Sequence, residues 1–101
     1  MSVSGMAFTV AEIMQVSAGA ALRGFPAFPR KGTLLILHPP YSPEGDELTS
    51  HAAEIERSTV KLLKYVFWQI SEDGRIGLLC RPFDETSVPL GSPVRFVSRR
   101  G

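Results

Sequence analysis

Two histidines, one cysteine and ten carboxylates are the residues of this chain able to do chemistry at neutral pH. His51 and Glu54 stand three apart, and with His38 they make the nearest thing to a metal-ligand set, since neutral imidazole and carboxylate are ordinary zinc donors. On a strand, however, positions three apart face opposite sides, and no cysteine cluster completes a site. No metal and no cofactor are therefore expected. Cys80 with either histidine would supply a nucleophile and a base, but it lies within the apolar run Ile76-Gly77-Leu78-Leu79-Cys80, where a buried, unreactive thiol belongs. Glu12, Glu54, Glu56, Asp84 and Glu85 offer acid/base pairs, yet each stands where a solvated strand face or loop carries charge. The expectation is a protein that is not an enzyme.

Binding chemistry is better represented. Arg23, Arg30 and Lys31 form one basic group and Arg95, Arg99 and Arg100 another, and Phe25 and Phe28 lie beside the first. Guanidinium matches phosphate oxygens and planar rings stack on bases, so this set is the RNA-binding candidate of the chain, if the two basic groups share a face. Surface solubility is the simpler explanation of the same arginines. In Gly24-Phe25-Pro26-Ala27-Phe28-Pro29 two aromatics alternate with prolines. Such a stretch either stiffens an exposed loop for protein contact or plugs an open barrel end. Together with Tyr41, Phe25 and Phe28 would then form an apolar patch that selects a protein over RNA.

The background against which these groups act is neutral. Eleven Lys/Arg against ten Asp/Glu give a net charge of +1, too little for a global field drawing the chain to nucleic acid or to a membrane surface. With 101 residues, 44% hydrophobic and 21% charged, the chain has apolar surface for one core, and a single domain over 1–101 is expected. Residues 1–6 and 98–101 are expected to be flexible ends. A lone cysteine forms no internal disulfide, and no stretch reaches the length of a bilayer span or has the pattern of a signal peptide. A cytoplasmic location without membrane contact is expected.

Eight prolines and nine glycines cut the chain into short segments. Residues 33–37 are a continuous β-favouring run, opened by Lys31-Gly32 and closed by Pro39-Pro40. Residues 41–47 read as a loop. Ala53, Ile55 and Arg57 then alternate with Glu54 and Glu56 as on a half-buried strand whose glutamates face water. Residues 65–70 and 76–81 flank Asp73-Gly74 as a hairpin, and residues 94–97 make a last strand after Pro93. The first third has two readings. Val10, Ile13, Met14, Ser17, Ala18 and Ala21 fall on a helical stripe, whereas residues 8–16 and 19–24 also read as two strands joined at Ser17-Ala18-Gly19. The strand-and-turn character of the remainder favours the second. The expected fold is all-β: a small closed antiparallel β-barrel of six or seven strands, since closure removes exposed edges.

The order of these motifs resembles the second domain of elongation factor Tu and its relatives, the small β-barrel of translation factors. Phe8-Thr9-Val10-Ala11-Glu12-Ile13-Met14 leading to Ser17-Ala18-Gly19 is similar to that family's first strand and Gly-Arg-Gly turn. Gly32-Thr33-Leu34, Gly45-Asp46-Glu47-Leu48 and Ala53-Glu54-Ile55-Glu56 look like its middle segments. Asp73-Gly74-Arg75-Ile76-Gly77-Leu78-Leu79-Cys80-Arg81, with Val88-Pro89-Leu90-Gly91 and Val94-Arg95-Phe96-Val97, is the best match. The chain departs from the pattern at Ala11 and Ala18, and a longer insertion spans residues 39–43. No Gly-x-x-x-x-Gly-Lys-Ser/Thr loop is present to cradle a phosphate, so neither nucleotide binding nor GTP hydrolysis is expected. The resemblance implies a binding surface around Glu12 and Met14. The functional expectation is a non-enzymatic binding module with a protein or RNA partner. The alternative is a small regulatory or immunity-type protein that mimics the translation-factor barrel, with the loop over residues 39–47 carrying its specificity.

Overall fold

The computed structural model describes residues 3–21, 27–41, 47, 50–56, 65–69 and 74–98. Six strands form one antiparallel sheet: β1 (Phe8–Val16), β2 (Gly32–His38), β3 (His51–Ile55), β4 (Tyr65–Gln69), β5 (Ile76–Cys80) and β6 (Pro93–Ser98). Their spatial order is β3-β6-β1-β2-β5-β4. Two short 3-10 turns, Val3–Gly5 and Glu85–Ser87, are the only helical elements among the described residues. The all-β class therefore holds, and over residues 8–16 the strand reading prevails over the helical stripe.

Strand pairing explains why. β1 lies against β2 along nearly its whole length, from Thr9↔His38 to Val16↔Gly32, so its apolar residues find partners across a ladder rather than along a helix face. The register slips between Val10 and Glu12, which makes Ala11 a bulge. A bulge bends its strand and tightens the twist, and the sheet curls at this point. Curling brings Phe8 and Val10 of β1, Leu35 and Leu37 of β2, Ala53 and Ile55 of β3, Leu78 of β5 and Phe96 of β6 into one buried cluster. Edge-to-face contacts of Phe8 with Phe96, centroids 5.4 Å apart, and with Tyr41 at 6.1 Å sit inside it.

The barrel is not closed. Among the described residues β3 pairs only with β6 and β4 only with β5, so the two ends of the sheet share no ladder and the result is an open half-barrel of six strands. The expected second strand over 19–24 is also not in the sheet over its described part. Gly19 takes φ +78° in a turn, its amide donates to the Phe28 carbonyl at 2.7 Å, and the Phe28 amide donates to Ala20 at 3.1 Å. This flap lays Phe28 on the outer face of the sheet, where it packs with Val16, Leu34, Ile36 and Leu79 in a second cluster. β2 is consequently buried on both faces, which is why residues 34–37 read as an unbroken apolar run instead of an alternating one.

Of the end expected to be flexible, residues 1–6, the structure describes residues 3–6. Val3 is wholly buried in the main cluster, and its amide donates to the Glu47 carboxylate, which also accepts the Tyr41 hydroxyl. An apolar side chain with a core site and a tethered backbone is held in place. Of the other expected end, Ser98 closes β6, and residues 99–101 lie outside the described residues.

Candidate functional site

β1 has a different environment on each of its two edges. Toward β2 it is paired throughout. On the other edge, β6 pairs only with Phe8 and Thr9, and the Val10 amide then donates to Ser92 at 3.0 Å while the Gly91 amide donates to the Val10 carbonyl at 2.8 Å. Beyond Val10, no backbone hydrogen bond among the described residues reaches β1 from this side. The chain entering β6 does not run alongside β1; it detours through the 3-10 turn Glu85–Ser87. Asp84 caps that turn, accepting from the Thr86 amide at 2.9 Å and the Thr86 hydroxyl at 2.8 Å, and these bonds hold its carboxyl below the usual range.

The detour is anchored at both ends. Gln15 donates to the Phe83 carbonyl at 3.0 Å, the Phe83 amide donates to the Thr33 hydroxyl at 3.0 Å, and Val88 is buried in the main core. Between these anchors the segment stands off β1 and leaves a groove of about 580 Å³, with residues 11–14 on one side and residues 85–90 on the other. Its volume falls within the range of ordinary ligand sites. Leu90, 67% exposed, is the one large apolar side chain so exposed among the described residues, and it stands at the groove. Glu12 and Glu85 line the same groove. Glu12 reaches across the outer face to Arg75 at 3.0 Å, an ion pair that is part-exposed and worth little stability.

The surface implied by the resemblance, Glu12 and Met14, thus has a place: both side chains belong to β1 and both line the groove. The basic and aromatic candidates are not gathered in the same way. Phe28 is buried, and Tyr41 is half-buried against Phe8, so neither contributes to an exposed apolar patch. Arg30 and Lys31 are exposed beside the β2 end that meets Val16, whereas Arg95 lies beside Val94, which meets Phe8. Eight residue steps along β1 separate those two ends, about 26 Å of strand. Arg95 is moreover paired across the ladder with Glu54 at 2.7 Å, which pushes its pKa up. Arg23, Phe25, Arg99 and Arg100 lie outside the described residues, as do residues 42–46 of the expected specificity loop.

No catalytic cluster forms among the described residues. His51 is buried, with Nδ1 2.7 Å from the Glu47 carbonyl oxygen, while Glu54 and His38 are exposed. No group of three or more His, Cys, Asp or Glu stands ready for a metal ion. Cys80 is free and buried, and burial pushes its thiol up to about 12, the reverse of what a nucleophile requires. No described helix is long and apolar enough to cross a membrane.

Leu90 was not singled out in the sequence, and Glu85 was read there only as a solvated carboxylate. A signal for Leu90 was present, since Pro89 and Gly91 are turn residues that keep it out of any strand. No protein-family model, curated protein or solved structure matches the chain.

Proposed function

We propose that this chain is a non-enzymatic binding module of the translation-factor barrel type, working in a reducing, cytoplasmic setting, and that its partner is a protein held at the groove beside β1. The observation that carries this reading is the exposed Leu90 set over a groove whose other wall is a strand edge left unpaired among the described residues. An exposed apolar side chain at a concave, partly polar site is the usual anchor of a protein contact. RNA is the weaker partner because the described basic residues are dispersed, Phe28 is buried, and the groove carries Glu12 and Glu85, which repel phosphate.

The test is affinity capture from native lysate, with and without nuclease, using the wild-type chain and Leu90→Asp. The reading expects a protein retained in both halves and lost with the variant. RNA retained by both chains, falling steeply with salt, would overturn it. The purified chain is also expected to release no phosphate from GTP, and measurable turnover would contradict the non-enzymatic assignment.

A further inference from the structure

We infer that the groove takes its partner by strand addition: an extended peptide carrying basic residues pairs with the free edge of β1 and extends the sheet locally. This inference rests on the protein-binding reading above and specifies how that binding works.

In an antiparallel sheet successive residues turn their amide and carbonyl alternately to one neighbour and to the other. Val10 turns both of its groups to the β6 side, where they meet Ser92 and Gly91. The bulge at Ala11 resets the count, since Val10 pairs with Leu37 but Glu12 with Ile36. From there Glu12 and Met14 face β2, and Ile13 and Gln15 present their amides and carbonyls to the open side. Bare strand edges of this kind are normally covered, twisted away or blocked with lysine. Among the described residues nothing covers this edge at Ile13, where the groove runs, and the wall opposite carries the exposed Leu90, whereas Gln15 lies just beyond the groove, beside its Phe83 anchor.

The chemistry of the occupant follows from the charges. Glu85 has no ion-pair partner among the described residues, and Glu12 is half exposed beyond its bond to Arg75. Among the described residues, no lysine or arginine lines the groove. A strand entering it meets two carboxylates and the apolar surface of Met14 and Leu90, so alternating basic and apolar side chains complement it. Backbone bonds to Ile13 in the groove, continued along the same edge to Gln15 at its end, supply the pairing, and the side chains supply selectivity.

The probe is the hexapeptide acetyl-Lys-Val-Arg-Val-Lys-Val-amide, with a counterpart in which glutamate replaces every basic residue. Two further versions carry N-methyl groups on residues 1, 3 and 5 or on residues 2, 4 and 6. Binding to the full chain is followed by fluorescence anisotropy. Strand addition predicts that the basic peptide binds at least tenfold more tightly than the acidic one, that Glu85→Lys removes most of this preference, and that one N-methylated version loses binding while the other keeps it. Equal tolerance of both N-methylated versions overturns strand addition, as does the absence of binding by the basic peptide. Either of those outcomes leaves the protein-binding reading to its own test, the loss of a captured protein with Leu90→Asp. Circular dichroism of Glu85→Lys, an exposed loop position, verifies that the fold is retained.

Discussion

The Gly91 amide donates to the Val10 carbonyl at 2.8 Å, and this bond marks the point where β1 loses its partner on that side. Gly91 holds φ +84°, which lets the chain turn away from β1 there. Below this point β6 continues the sheet, and above it the groove begins. The site is therefore a consequence of how one connection leaves a strand and of one bulge, and both are local backbone features.

Two glycines fix this geometry for different reasons, and their alanine variants separate them. A Cβ on Gly91 meets nothing within 4 Å, so Gly91→Ala acts through the left-handed backbone alone, at roughly 1–2 kcal/mol. A Cβ on Gly32 would meet the Cys80 carbonyl oxygen at 2.4 Å and Leu79 Cδ1 at 2.7 Å. Gly32→Ala forces β2 and β5 apart and is expected to cost about 1–3 kcal/mol. Urea unfolding measures both. Gly91→Ala should also weaken capture at the groove, whereas Gly32→Ala should weaken stability alone.

Cys80 gives a pH dependence with a definite sign. Its folded thiol is pushed up to about 12 from 9.0, so the folded state favours the protonated form. That contribution is complete below pH 9 and is lost as the pH rises toward 12. The urea midpoint of the wild type is expected to fall more steeply above pH 9 than that of Cys80→Ala. In the same way, a thiol reagent at pH 8 should label the unfolded chain and leave the folded chain unreacted. Rapid labelling under native conditions would place Cys80 outside the core.

Asp84 has the opposite sign. The Thr86 amide, and then the Thr86 hydroxyl, hold its carboxyl below its ordinary value, so the cap stabilises the groove wall above that value and is lost as the pH falls through the folded one. Its side-chain carbon resonance should titrate below the free value in the wild type and move up toward it in Thr86→Val, which removes the hydroxyl but keeps the amide.

Strand composition was legible wherever the ladder decided the outcome. Ala53 and Ile55 are buried and Glu54 is exposed, as period-two patterning predicts, and β4 pairs with β5 as the expected hairpin. What the residues did not reveal came from tertiary contacts. The apolar run of β2 announces burial on both faces but does not say that Phe28 supplies the second cover, because the covering segment is far from a strand pattern. Closure of the barrel depends on pairing between the outermost strands, a long-range contact without a local signal. At the site, Glu12 and Met14 came from resemblance to a translation-factor barrel. The free edge comes from the connection that leaves β1 at Gly91 and from the bulge at Ala11, and alternation of residue types does not reveal a single inserted residue. Of the basic candidates, Lys31 and Arg95 sit at opposite ends of β1, while Arg23, Arg99 and Arg100 lie outside the described residues.

Amide hydrogen exchange across β1 reads the state of this edge residue by residue, first in the free chain and then with the captured partner bound. The account predicts that in the free chain Ile13 and Gln15 exchange quickly while Glu12 and Met14 are protected by β2, and that partner binding slows Ile13 and Gln15 at least tenfold. Equal protection of all four amides in the free chain, or a partner that leaves Ile13 and Gln15 unchanged, would contradict it.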